Sequence, residues 1–224
     1  MAVAEVGSVS PVLKPTQHCY TWVGLSTAAK EEATIAELEL PATFTFAEAA
    51  GRGLSRRRLQ RLQATGAVER IGRGLYRRTD EEPADHDLIE IAAKARQPTV
   101  CLLSALAWHE LTDVIPPVHD IALPRGTWQP VVSAPVHWHE FDPATFEVGR
   151  TAIRLDGTYT LGLYDAPRSI IDAFRLRRAV GPDVANEALR RWLRQGGKPA
   201  DLMRLTQYFP AARPSLLHAL QVLL

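Results

Sequence analysis

The sequence predicts an α+β fold: an N-terminal winged helix-turn-helix followed by a mixed α/β domain with a helical C-terminal end. The first third contains three helix-like segments and then a glycine-centred hairpin. Short apolar strand-like runs and further amphipathic helices follow it. With 224 residues, 46% of them hydrophobic, the chain is long enough to bury a core in one or two domains.

The N-terminal segment divides into an arm and a first helix. Residues 1–25 mix Val, Ser, Pro and Gly without a sustained period, so we expect a loosely ordered arm there. Residues 26–38 are rich in helix formers, and Pro41 ends this run. We therefore begin the folded part of the chain at residue 26.

Two capped helices and a hairpin are expected next. Thr45 and Ser55 can each accept a hydrogen bond from the first turn of the helix that follows. The turn 72–74 has two glycines and can join two short strands. The expected elements are helices at 46–50 and 55–65 and strands at 68–71 and 75–78. Together they predict a winged helix-turn-helix DNA-binding domain at residues 26–80.

A domain boundary is expected at residues 79–85, which are acidic, contain proline and lack large apolar side chains. A second, α+β domain is placed at residues 87–224. Asp156 and Gly157 mark a hairpin turn inside it. Its expected helices span 87–96, 102–111, 167–177, 183–195, 199–209 and 214–224, and its expected strands span 120–123, 136–141, 152–155 and 158–164.

Composition excludes several classes of protein. The formal net charge is only +1, so no global charge indicates nucleic acid or a membrane surface. Cys19 and Cys101 lie far apart without metal-ligand spacing, which argues against a disulfide scaffold and a structural zinc site. No apolar run reaches membrane-spanning length, and the N-terminus lacks the basic region of a signal peptide. We therefore expect a cytoplasmic protein without a membrane partner.

The basic residues are concentrated in one segment. Between residues 52 and 78 there are nine arginines and one acid, a local charge of 9 − 1 = +8, so the remaining chain carries 1 − 8 = −7. Such asymmetry in a nearly neutral protein is typical of a nucleic-acid contact surface. The alternative is an ordinary solvated helix face, but no acidic partner stands at helical spacing within the 55–65 helix.

Helical periodicity assigns roles to the side chains of the 55–65 helix. Leu59 and Leu62 share one face, which we expect to be buried. The base-reading candidates on the opposite face are Arg57, Gln60 and Arg61, because Arg and Gln can bond base edges in the major groove.

The other arginines are expected to contact the DNA backbone. Arg56 and Arg58 flank the reading face and would reach phosphates. Arg73 lies at the hairpin tip, where it would enter a minor groove or meet a phosphate, with Arg70 and Arg77 in support.

Two stretches of this region resemble the N-terminal winged helix of AbiEi-family antitoxins. They read Gly-Leu-Ser-Arg-Arg-Arg-Leu-Gln-Arg-Leu at 53–62 and Gly-Ala-Val-Glu-Arg-Ile-Gly-Arg-Gly-Leu-Tyr at 66–76. Segments 102–109, 121–126 and 165–177 are similar, in the same order, to that family's C-terminal domain. The resemblance covers most of the chain from about residue 26 to 205. The long N-terminal arm and the strands before Asp165 depart from the family pattern.

The resemblance implies an antitoxin of a type IV toxin-antitoxin system. Its winged helix would bind double-stranded DNA at its own promoter as a transcriptional repressor. Its C-terminal domain would neutralise a cognate nucleotidyltransferase toxin, by direct contact or functionally. The residues expected on the antitoxicity surface are Ser104, Trp108, His109, Arg168, Asp172 and Arg175.

Catalytic and cofactor sites have little support in the sequence. His137 and His139 would share one strand face and could join His119, but no cysteine or acid stands at matching spacing, so neither a metal nor another cofactor is predicted. No nucleotide-binding motif is present, which leaves enzyme activity uncertain. The alternatives left open are covalent modification of the toxin, as by an atypical phosphotransferase, and a plain transcriptional regulator. Whether the protein binds DNA as a homodimer is also open.

Overall fold

The computed structural model describes residue 35, residues 37–80 and residues 85–223. The expected N-terminal arm lies outside these residues, and so does most of the first expected helix. Ile35 and Glu37 are helical, as that expectation requires.

The N-terminal elements confirm the predicted caps. Oγ1 of Thr45 accepts a hydrogen bond from the backbone N–H of Glu48 at 3.3 Å, and Oε2 of Glu48 accepts one from the N–H of Thr45 at 2.6 Å. Oγ of Ser55 accepts one from the N–H of Arg58 at 3.3 Å. The elements are β1 (Thr43–Thr45), α1 (Phe46–Gly51), α2 (Arg56–Ala64), β2 (Val68–Gly72) and β3 (Leu75–Arg78).

These strands form an antiparallel sheet in the order β1-β3-β2. Helices α1 and α2 pack on it, and the core between them is closed by side chains that are at most 2% exposed, namely Phe44, Leu54, Leu59, Leu62 and Val68. Strand β1 was not predicted, because three residues are too few to show an alternating pattern. The arrangement is the predicted winged helix-turn-helix.

The second part of the chain is α+β, as predicted. Its five-stranded sheet has the order β6-β5-β4-β8-β7, in which the β4–β8 and β5–β6 pairs are parallel and the others antiparallel. The elements are α3 (His86–Lys94), β4 (Thr99–Val100), α4 (Leu102–Trp108), β5 (His119–Pro124), β6 (Val136–Phe141), α5 (Pro143–Phe146), β7 (Arg150–Arg154), β8 (Thr160–Tyr164), α6 (Ala166–Arg175), α7 (Arg177–Val180), α8 (Pro182–Arg194), α9 (Pro199–Leu205), a 3₁₀ turn (Pro210–Ala212) and α10 (Arg213–Leu223).

Every expected helix and strand of this part is present within a few residues of its predicted ends, except that the helix expected at 199–209 ends at Leu205. The two-residue strand β4 and the one-turn helix α5 were not predicted. The domain boundary expected at 79–85 stays a prediction, because residues 81–84 lie outside the described part of the chain.

Helix α6 is the centre of the C-terminal helical layer. Its apolar residues Ile170, Ile171 and Phe174 are at most 5% exposed and pack against α4, α8 and the C-terminal helices. Its polar residues Arg168 and Asp172 are also fully buried. Helix α6 is therefore buried on its apolar face and on part of its polar face.

The buried polar residues of α6 form a charge cluster with Arg175. Nε of Arg168 donates to Oδ2 of Asp172 at 2.9 Å, and Nη2 of Arg175 donates to Oδ1 of the same carboxylate at 2.8 Å. Burial raises the pKa of Asp172, and the two guanidinium groups counteract that rise. The guanidinium of Arg168 also lies 4.2 Å from the ring centroids of Tyr164 and Phe209.

We predict that Asp172→Ala lowers the free energy of unfolding by about 3–5 kcal/mol, because it leaves a fully buried guanidinium without its carboxylate. Urea unfolding followed by circular dichroism measures this. The matched control is Asp201→Ala, which breaks the exposed pair of Asp201 with Arg204 and should cost less than about 1 kcal/mol. Equal losses in the two variants would contradict the role assigned to the cluster.

Candidate nucleic-acid interface

Helix α2 presents a polar face to solvent. Arg57, Gln60 and Arg61 are exposed, whereas Leu59 and Leu62 are buried against the sheet. The four-residue turn that joins α1 to α2 is typical of a helix-turn-helix, in which the second helix enters the major groove. The predicted base-reading face is therefore accessible.

The hairpin β2–β3 forms the wing. Its tip is Arg73, which is exposed and is followed by Gly74 at φ +75°, a conformation that favours glycine. Nε of Arg70 donates to the carbonyl of Gly72 at 3.0 Å, which holds a second exposed cation beside the tip. The wing thus carries two arginines near its turn.

Acidic partners compensate only some of the nine arginines. Arg58 pairs with Glu37 at 3.5 Å, and Arg78 pairs with Asp80 at 2.5 Å. Arg56 is exposed, and its guanidinium lies 5.3 Å from the ring centroid of Phe46. In the described part of the chain, six arginines have no carboxylate partner: Arg52, Arg56, Arg57, Arg61, Arg70 and Arg73.

Arg77 is placed differently from its expected role. Arg77 is 4% exposed, and its Nη1 donates a hydrogen bond to Oε1 of Glu69 at 3.2 Å. Its side chain lies on the inner face of β3 with Leu75, because residues two apart on a strand share a face. A buried guanidinium cannot reach a phosphate, so we correct the expectation that Arg77 contacts DNA.

The winged helix-turn-helix contacts the C-terminal part through strands β1 and β2. Oγ1 of Thr43 donates to Oδ2 of Asp156 at 2.6 Å. At the end of β2, Gly72 lies against Glu90, where an added Cβ would come within 3.1 Å of Oε1. The sheet that carries the wing is therefore joined to the C-terminal part at both β1 and β2.

Glu90 is a buried acid with a full set of partners. It is 1% exposed, its Oε2 accepts from the backbone N–H of Ser133 at 2.8 Å, and its Oε1 pairs with Nζ of Lys94 at 2.5 Å. Burial raises the pKa of this carboxyl, but the Lys94 and backbone hydrogen bonds outweigh burial and hold the pKa below its usual value.

Three of the residues expected on an antitoxicity surface are buried. Arg168 and Asp172 are fully buried in the α6 charge cluster, and Ser104 is 8% exposed. Oγ of Ser104 accepts a hydrogen bond from the N–H of Asp120 at 2.8 Å, which ties α4 to β5. Because a buried side chain offers no contact surface, we correct the expectation for these three residues to a structural role.

The other three expected residues reach the surface to different degrees. Trp108 is 49% exposed at the end of α4. His109 is half-buried, with its Nε2 within 2.7 Å of the carbonyl oxygen of Tyr164, and it borders an open groove of about 430 Å³ that Trp192 also lines. Arg175 is partly exposed beside Asp172. Among the six, Trp108 has the most accessible apolar surface.

The histidines considered from the sequence do not all come together. His137 and His139 share one face of β6, as predicted, and both face Asp120 of the neighbouring strand, which the sequence reasoning missed. His119 instead faces Asp87, with 3.7 Å between His119 Nε2 and Asp87 Oδ2. The pairing of β5 with β6 brings Asp120 near His137 and His139, and the spacing of these residues along the sequence does not predict this contact.

A known protein family is similar to the N-terminal part of the chain. Residues 36–79 match the family model described as "Transcriptional regulator, AbiEi antitoxin". No curated protein is significantly similar to the chain. Among solved structures, the RV2827C protein from Mycobacterium tuberculosis aligns over 91% of this chain and 80% of that chain, with a TM-score of 0.46 and 15% identity. Among the described residues, no helix is long and apolar enough to cross a membrane.

We predict that Arg73→Ala and Arg77→Ala separate the two environments of the arginines. Arg73→Ala should leave the free energy of unfolding within about 0.5 kcal/mol of the parent. It should make the plot of log binding constant for double-stranded DNA against log salt concentration less steep, by about one unit per lost phosphate contact. Arg77→Ala should lower the free energy of unfolding by about 1–3 kcal/mol and leave the salt slope unchanged, because its guanidinium is buried. Thermal unfolding and binding titrations over a salt series measure both. A lowered salt slope in folded Arg77→Ala would refute the assignment.

Proposed function

We propose that this chain represses its own promoter and neutralises a cognate nucleotidyltransferase toxin. Its residues 36–79 match the AbiEi antitoxin family of transcriptional regulators. The winged helix-turn-helix binds the promoter DNA, and the domain at residues 87–224 acts against the toxin. The observation that supports DNA binding is the set of uncompensated arginines on α2 and the wing.

The DNA-binding mode follows from which side chains are exposed. Helix α2 lies in the major groove, where Arg57 and Arg61 bond guanine edges and Gln60 bonds adenine. Arg56 contacts phosphates, with Arg58 sharing its charge between a phosphate and Glu37. Arg70 and Arg73 on the wing contact the adjacent minor groove or its phosphates.

The toxin is neutralised through exposed residues of the C-terminal domain. Trp108 is the leading contact, because large aromatic side chains supply much of the energy of protein interfaces and 49% of this one is exposed. His109 and Arg175 lie on the partly buried rim of the same domain. Covalent modification of the toxin is the alternative mechanism, and mass spectrometry of toxin co-expressed with this chain distinguishes it.

We predict that Arg57→Ala and Arg61→Ala each weaken binding to the chain's own promoter by about 1–3 kcal/mol and relax preference at particular base pairs. Affinity for a scrambled duplex should fall less, because phosphate contacts remain. Fluorescence anisotropy on promoter and scrambled duplexes measures both affinities. The matched control is Arg178→Ala, which removes an exposed arginine from α7. Unchanged promoter binding in both α2 variants would show that α2 is not the recognition helix.

We predict that Trp108→Ala abolishes rescue of cells that express the toxin while leaving promoter binding at the parental level. About half of this side chain is buried, so thermal unfolding is measured to establish that the variant is folded. The control is Trp128→Ala, because Trp128 is 73% exposed elsewhere in the same domain. Full rescue by folded Trp108→Ala would remove this residue from the antitoxicity surface.

A further inference from the structure

A carboxylate and two imidazoles converge on the outer part of the five-stranded sheet. Oδ1 of Asp120 lies 2.8 Å from Nε2 of His139 and 3.7 Å from Nδ1 of His137. The two imidazole rings lie against each other, with 4.3 Å between their centroids. The three potential ligand atoms are all within 4.8 Å of one another.

Strand pairing fixes this convergence. Strands β5 and β6 are parallel, with Asp120 opposite His137 and Ala122 opposite His139. His137 and His139 are two residues apart on one strand, so their side chains leave the same face of the sheet. The side chains therefore meet because of the register and not through a chance approach of loops.

The backbone of Asp120 is held on both sides. Oγ of Ser104 accepts a hydrogen bond from its N–H at 2.8 Å, and its carbonyl accepts one from the N–H of Cys101 at 2.9 Å. The side chains of Asp120 and His139 are only 13% and 15% exposed, whereas that of His137 is 66% exposed. Two of the ligands are thus preorganised, and the third closes the group from the solvent side.

We propose that Asp120, His137 and His139 bind one divalent transition-metal ion of the zinc class. In a tetrahedral site, ligands about 2.0–2.1 Å from the ion lie about 3.3 Å apart. The observed separations of 2.8 and 3.7 Å from Asp120 Oδ1 lie on either side of that value. Imidazole and carboxylate ligands suit zinc and its first-row neighbours, whereas magnesium and calcium prefer sites made wholly of oxygen.

A hydrogen bond between Asp120 and His139 does not account for the whole group. It satisfies one ring nitrogen, but the same Oδ1 also faces Nδ1 of His137 at 3.7 Å, beyond hydrogen-bonding distance. A metal ion bound between these residues would be coordinated by Asp120 Oδ1, His137 Nδ1 and His139 Nε2 together. With three protein ligands, the fourth position is left to water on the solvent side, where His137 is exposed.

The second group of possible ligands is less suited to an ion. It consists of Asp85, Asp87 and His119. Oδ1 of Asp85 already accepts hydrogen bonds from two backbone N–H groups at the start of α3. We therefore assign the ion to the Asp120 group, where it would join the edge strand β6 to β5.

The test is a titration of the full-length chain with Zn²⁺, followed by isothermal calorimetry, and with Co²⁺, followed by the visible absorption of the tetrahedral ion. We expect one ion per chain. Asp120→Asn and His137→Ala should weaken Zn²⁺ binding by at least about tenfold, and His139→Ala should abolish it. His218→Ala removes an exposed histidine from α10 and His119→Ala removes one from the second group, and both should bind as the parent does.

Several results would overturn the proposal. One is a parent chain that takes up no Zn²⁺. Another is parental affinity in His137→Ala, which changes a largely exposed side chain and should fold normally. Loss of the ion in His119→Ala with retention in His139→Ala would place it in the second group and would also refute the assignment.

Discussion

The C-terminal part of the chain depends on the buried carboxylate of Asp172, which lies between the guanidinium groups of Arg168 and Arg175. Nη1 of Arg168 also donates to the carbonyls of Thr145 and Val148, at 2.8 and 2.5 Å, so one side chain joins α6 to α5 and to the loop before β7. That loop needs a glycine at 149, where φ is +71° and an added Cβ would lie 2.6 Å from Cβ of Arg168. Desolvating these charges is costly, and the surrounding aromatic rings and backbone carbonyls offset part of that cost. The cluster therefore specifies how the helical layer meets the sheet.

The sequence predicts most elements of the fold because their signals are local. The caps Thr45 and Ser55 and the apolar faces of the longer helices depend on residues within a few positions of one another. Strands β1 and β4 have three and two residues, so neither shows an alternating pattern, and only their pairing with distant strands defines them. The strand order of the five-stranded sheet could not be predicted from the sequence either, because β4 pairs with β5 and β8, which are many residues away along the chain.

Candidate site residues were predictable where exposure follows from periodicity. On α2, the spacing of Leu59 and Leu62 places Arg57 and Arg61 outside. The same reasoning applied to β3 would have placed Arg77 inside with Leu75, and this signal was present in the sequence. For α6 the signal was weaker. Arg168 and Asp172 read as an ordinary surface pair at i and i+4, and their burial becomes evident only from the loop and aromatic rings that cover them.

The positive charge of the candidate nucleic-acid interface depends on which groups bond the nearby carboxylates as well as on where the arginines lie. Glu69 bonds Arg77, and Glu90 bonds Lys94. The carboxylate of Glu48 accepts a hydrogen bond from the N–H of Thr45, and that of Asp156 accepts one from the hydroxyl of Thr43. Each of these carboxylates lies in or beside the winged helix-turn-helix, and each is satisfied away from the exposed arginines of α2 and the wing. Glu69 and Glu90 bond the cations Arg77 and Lys94, and these cations cancel part of the negative charge that the two carboxylates would otherwise add near α2 and the wing. Among the described residues, six of the nine arginines at 52–78 therefore have no carboxylate partner, although Arg58 shares its charge with Glu37.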